Sequence, residues 1–220
     1  MMIPDIDVAA TKAMEILVKH NVSFAPVDPM PILKSMKGVL VLTFAEMAIC
    51  MGTDRQSVIK TFASDNRDVV TSVCNVNGKL RYIVAYNQRL PFYMLQRAMA
   101  RELGHIVLQH DGSRPEDVRS AEAMYFARHL LCPRPLIKAL QDEIIPLTME
   151  TLGNVTGCYE RCLFGIRNTP GAHVSAELNR LVKDQFKEYI DNFADCHFIL
   201  TNDDVTSEAD FGTFMDNYEE

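Results

Sequence analysis

Several features that assign a function quickly are missing from this chain. It has six cysteines but no Cys-x-x-Cys pair, so the scattered thiols read as reduced and packed rather than as a redox or zinc motif. Cys158 and Cys162 stand four apart, a spacing that suits two packed thiols better than a metal pair. No apolar run approaches the roughly 18 residues that span a bilayer. The opening MMIPDIDVAATKAMEI is acidic early and has no basic-then-apolar leader. The expectation is therefore a cytoplasmic protein with no membrane span. There is no G-x-G-x-x-G or phosphate-binding loop, no Ser-His-Asp arrangement at informative spacing, no internal repeat and no long linker. Nucleotide chemistry has no support.

A basic surplus is also missing. The net charge of -7 has one source. Residues 202–220, NDDVTSEADFGTFMDNYEE, hold seven acids and no Lys or Arg, which leaves residues 1–201 formally neutral. Nucleic-acid binding by this chain alone is disfavoured. The tail reads as a solvated end. Phe211, Phe214, Met215 and Tyr218 interrupt the acids, and make it a candidate docking segment, for a partner or for the body itself.

What is present is a chain that is 48% hydrophobic, enough for a real core. Apolar positions within 5–19 recur at helical spacing. Pro31 predicts a short helix closed by Gly38, and VLVLT at 39–43 predicts a strand. Helical turns are expected around 46–51 and 56–62. The clearest sheet signal is VVTSVCNV and KLRYIVAY on either side of Asn77-Gly78, the strongest short hairpin turn. Pro91 then opens a helix expected to run to about Gln109 and stop at Asp111-Gly112. Further helices are expected over 115–131, 134–142, 147–167 and 173–193, with HFILT as a last short strand. A small sheet followed by helices predicts an α+β fold.

The chemistry concentrates in LQRAMARELGHIVLQHDG, residues 95–112. In His-Glu-x-x-His, two imidazoles four apart project from one helical face onto one zinc ion. The Glu serves as general base for the metal-bound water, and a third protein ligand comes from further along. Here the five letters are Arg101-Glu102-Leu103-Gly104-His105. Glu-x-x-His alone carries little information, because a lone His on a helix is more often hydrogen-bonded to the core than a ligand. Its context carries more: seventeen residues after His105 comes Glu122, in EAMYFARHLLCP.

This pairing resembles the ImmA/IrrE family of metallopeptidases, in which a His-Glu-Leu-Gly-His helix is followed by a helix of the form E-A-N-x-F-A-x-x-L-L-x-P. The matching letters are Glu122, Ala123, Phe126, Ala127, Leu130, Leu131 and Pro133. The resemblance covers about residues 7–170, including KLRYIVAYNQRLP upstream and PLTMETLGNVTGCYERCLFGIR downstream. It implies a zincin-like domain over 1–170, with a small antiparallel-containing sheet packed on an active-site helix. Beyond it, a C-terminal helix and a candidate short strand packed on that domain are expected over 171–201, with the acidic tail over 202–220. It also implies action on a repressor or regulator protein, of the kind found in mobile elements, prophages or stress responses. Carried over residue by residue, it makes His105 the second zinc ligand, Glu122 the third and Glu102 the catalytic base.

The first ligand position is Arg101, and there the pattern fails. A guanidinium is always charged and has no lone pair to give. Structural zinc peptides bind with about 10–16 kcal/mol in total, so losing one ligand of three forfeits several of these, on the order of a thousandfold in affinity. Arg101 also offers a cation in place of the metal, and Glu122 and Glu102 are the nearest carboxylates for it to bridge. The expectation is an Arg101–Glu122 pair in a metal-free pseudopeptidase with a degenerate His-Glu-x-x-His. Against it stands an active zinc metallo-endopeptidase that recruits a further ligand. His110 and His173 are the candidates. His110 lies roughly 140° off the face of His105 on a continuous helix, so it reaches the site only if the helix unwinds first. His129, seven past Glu122, lies on nearly the same face but about 10 Å along the axis.

Overall fold

The computed structural model describes residues 2–62, 68–110, 113–143, 147–158, 163 and 171–193. Helix α1 (Ile6–Lys19) starts where the Asp5 carboxylate accepts the Val8 N–H. Helix α2 (Pro29–Ser35) begins two residues before the expected Pro31, because Asp28 caps it and Pro29 occupies its first turn. Strand β1 (Val39–Thr43) runs into α3 (Phe44–Met51) through a capping box formed by Thr43 and Glu46. Helix α4 (Arg55–Phe62) follows. The hairpin is β2 (Val69–Val76) and β3 (Lys79–Tyr86), with Asn77 and Gly78 both left-handed at φ 52° and 76°. Such a two-residue turn matches the right-handed twist of the strands.

The sheet has the order β1-β3-β2, with β1 parallel and β2 antiparallel to β3. Among the described residues β2 is thus an edge strand. The central strand alternates its faces: Val84 joins the main core, while the next residue, Ala85, joins a smaller cluster with Phe44, Met47, Ala48 and Val58. The main core lies on the helical side, under α5 (Phe92–Val107), α6 (Glu116–Leu131), α7 (Arg134–Glu143), α8 (Met149–Thr156) and α9 (Ala176–Gln185). Leu17, Leu103, Phe126, Leu130 and Leu136 are fully buried in it. Each such side chain contributes about 1.5–3 kcal/mol by leaving water. Val182, Phe186 and Ile190 belong to the same core, so the described part of the C-terminal segment packs on the preceding helices. The fold is α+β, as expected from the order of strands and helices.

Two expectations need correction. Helix α5 ends at Val107, not Gln109: Gln109 takes φ 53°, and its N–H bonds the Ile106 carbonyl. The segment expected to be helical from 147 is closed at Gly157 in the left-handed conformation. Asp111-Gly112, HFILT and residues 202–220 lie outside the described residues. No described helix is long and apolar enough to cross a membrane.

Helices α5 and α6 approach each other most closely at Gly104. A Cβ there would lie 3.0 Å from Phe126 Cδ1 and 3.1 Å from the Ala123 carbonyl oxygen. Backbone cannot yield as a flexible side chain does. Gly104→Ala is therefore expected to destabilise by about 1–3 kcal/mol through overpacking, despite its better helix propensity. Urea unfolding of the two proteins checks this.

Candidate functional site

The site forms where the C-terminal end of α5, the loop after it and the second turn of α6 meet. Early termination of α5 is what assembles it. The left-handed Gln109 reverses the chain, and the His110 N–H bonds the His105 carbonyl at 3.0 Å. The His110 side chain, only 2% exposed, then lies between two expected site residues. Its Nδ1 is 2.8 Å from His105 Nδ1, and its Nε2 is 3.0 Å from Glu122 Oε2.

Glu122 is the centre of this arrangement, with a side chain 3% exposed. Arg114 Nη1 donates to both of its oxygens, at 2.6 and 2.7 Å. The Asp5 backbone N–H donates to Oε1 at 2.9 Å, reaching from the cap of α1 across 117 residues of sequence. Burial by itself would raise the Glu122 carboxyl, but the Asp5 N–H, Arg114 and His110 outweigh it and hold it below the ordinary value. Burial lowers the His110 imidazole by more than Glu122 raises it. A neutral His110 donating Nε2–H to the carboxylate must accept at Nδ1, so His105 donates its Nδ1–H.

Arg101 does not pair with Glu122. Its Nη2 lies 3.2 Å from Ser120 Oγ, and its buried Nε has no hydrogen-bond partner. Among the described residues no carboxylate lies within ion-pair distance of it. The cation expected from Arg101 comes instead from Arg114. The reason is direction: Arg101 reaches α6 at Ser120, two residues and roughly 200° around the helix from Glu122, whereas Arg114, just before α6, folds back onto Glu122 itself. Glu102 is buried at 8% exposure. With Arg101, His105 and His110 it lines a groove of about 310 Å³ whose other wall is β2, from Val69 to Val73. His173 does not line this groove; its backbone N–H bonds Asp7 on α1. His129 is buried on α6, with Nε2 lacking a partner.

His110 intervenes between His105 and Glu122 rather than standing beside them. One ring nitrogen faces each neighbour, so no single point lies at bonding distance from all three side chains. Glu122 is already saturated by four hydrogen bonds from three donors. So arranged, the residues do not fit a zinc ion, and among the described residues no group of three or more His, Cys, Asp or Glu could hold a metal.

The sequence reading missed Arg114 and Asp5. Neither carries a local signal: Arg114 is eight residues from Glu122, more than two helical turns, and Asp5 acts through its backbone. Comparison of the chain with protein-family models, curated proteins and solved structures finds no match.

Arg114→Ala leaves the Glu122 carboxylate buried without its cation. Breaking a fully buried pair costs about 3–5 kcal/mol; with Arg114 45% exposed, the expected loss is about 1–3 kcal/mol at neutral pH. A carboxylate held below its ordinary value stabilises above that value and loses the effect as pH falls through the lowered one. The deficit of Arg114→Ala should therefore shrink below pH 4.5, the ordinary Glu value, as urea titrations across pH would show. His129 gives a second pH dependence. Burial first, then Arg128 and Arg134, lower it from 6.5 to about 4. The unfolded chain binds this proton first, so stability falls between pH 6.5 and about 4, by on the order of 3 kcal/mol. His129→Leu should flatten that part of the stability profile; an unchanged slope would refute the assignment.

Proposed function

We propose that this chain is a degenerate ImmA/IrrE-like protein of zincin-like fold that binds a regulator or repressor protein instead of cutting it. The observation that carries this reading is the clasp on Glu122. The side chain that the resemblance makes a zinc ligand is neutralised by Arg114, at 2.6 and 2.7 Å, and wedged by His110. Arg101, standing where the first imidazole would be, brings a fixed positive charge to the groove beside β2. A guanidinium compensates carboxylate charge but offers no orbital to a substrate carbonyl and no exchangeable water.

The groove that remains suits a protein ligand. One wall is the edge strand β2, whose outer backbone groups are a ready template for an added strand. An extended segment of the partner would pair there by main-chain hydrogen bonds, with side chains reaching the α5 wall. No basic field for nucleic acid enters this reading.

One observation favours the alternative, an active zinc metallo-endopeptidase. His105, His110 and Glu122 are immediate neighbours. In that reading they are the ligands to a Zn²⁺ cofactor, with Glu102 as general base, and His110 must turn and Glu122 must leave Arg114.

Elemental analysis of the purified full chain separates the two readings. The binding reading expects far less than one zinc per chain, even after incubation with zinc. Arg101→His, which restores the missing imidazole, should raise zinc content toward stoichiometric. About one zinc per chain in the parent would overturn the binding reading.

A further inference from the structure

Arg101 also lines a second groove, between α5 and α6. The residues Met94, Arg97, Ala98 and Arg101 of α5 and Met124 and Ala127 of α6 enclose about 230 Å³. The α5 residues stand at i, i+3, i+4 and i+7, one continuous helical face. The two alanines leave a floor between methionine walls, room for an aromatic side chain. Methionines line surfaces that adapt to apolar ligands. Met94, at one end of it, is 42% exposed.

The groove is also electrically incomplete. Arg101 has no carboxylate partner among the described residues, and its buried Nε makes no hydrogen bond. A half-buried guanidinium in that state is costly, and an incoming carboxylate would relieve the cost. The groove thus calls for a segment with large apolar side chains and acidic neighbours.

The chain carries such a segment. Phe211, Phe214, Met215 and Tyr218 stand at i, i+3, i+4 and i+7, the same helical spacing as the groove's own α5 face. Glu208, Asp210, Asp216, Glu219 and Glu220 surround them, with no Lys or Arg from 202 to 220. The chain from 194 to 207, at roughly 3.3–3.6 Å per residue when extended, can reach any face of a domain this size. Tethering raises its effective concentration far above that of any free acidic peptide.

We propose that residues 208–220 dock in cis in the groove between α5 and α6, with the apolar side chains of Phe211, Phe214, Met215 and Tyr218 against the methionine walls and a tail carboxylate on Arg101. The inference does not depend on the proposed function, because it requires neither a metal nor a partner. Docking would set the tail beside the site groove, since Arg101 lines both.

The chain has no tryptophan, so Phe214→Trp in the full-length protein introduces a single tryptophan, excited apart from the tyrosines, into the tail. Its emission is expected to be blue-shifted, and its quenching by acrylamide several-fold weaker, relative to a free peptide of residues 202–220 bearing the same substitution. Met94→Glu alters an exposed position and should return both signals toward those of the free peptide without disturbing the fold, as circular dichroism would verify. Arg101→Gln and added salt should each weaken the protection. Free-peptide behaviour in the parent would overturn the proposal. So would protection unchanged by either groove variant, which would place the tail elsewhere, or protection lost on dilution, which would assign the contact to a second copy.

Discussion

The site depends on one buried carboxylate. Glu122 ties together three pieces of chain that have no local reason to meet: the cap of α1 through the Asp5 N–H, the reversed loop after α5 through His110, and the approach to α6 through Arg114. An ionised carboxylate removed from water is tolerated only when its oxygens are fully occupied by donors. That requirement specifies the loop. With α5 continued to Gln109 or beyond, His110 would project away from Glu122, and one of the donors would be lost. The left-handed Gln109 is thus the local conformation that the Glu122 hydrogen bonds select.

The packing beneath is equally specific. Glu122 can meet the end of α5 only because the two helices nearly touch at Gly104, where Ala123, the residue after Glu122, presents its carbonyl and Cα. Leu103, Phe126 and Leu130 fill the space on either side of that contact. One glycine therefore sets the separation at which a side chain on α6 and one on the α5 loop come within hydrogen-bonding distance. The letters Leu-Gly-His read as a motif at the level of sequence; in three dimensions the glycine fixes a helix separation and the histidine uses it.

The elements legible in the sequence were those whose signals are local. Asn77-Gly78 between two strand-like runs and the helical apolar spacing of α1 each depend on a handful of neighbouring residues. The candidate site residues were legible in part. Glu102, His105 and Glu122 do converge on one end of α5, and His110 joins them by the unwinding that its position demands. The partner of Glu122 was not legible. Choosing between Arg101 and Arg114 needs the angle between two helices and the length of the loop joining them. Whether the Arg101 side chain meets Glu122 or Ser120, which point to different sides of the second turn of α6, is a tertiary property.

Charge is where these threads meet. Arg101 and Arg114 place two fixed positive charges beside α6. Under the proposed function they would stand in for the charge of a divalent ion, and the kind of ligand the site prefers would differ accordingly. A zinc ion accepts a lone pair and holds a water that can be deprotonated near neutral pH. A guanidinium donates hydrogen bonds in a plane and favours carboxylates. Arg114 has found its carboxylate in Glu122, and Arg101 has none among the described residues. Of the two charges, the uncompensated one lies on the wall shared by both grooves. Any acidic group that settles there changes the potential felt in the adjoining groove, so occupancy of the methionine-lined groove and of the groove beside β2 should be coupled through this one side chain.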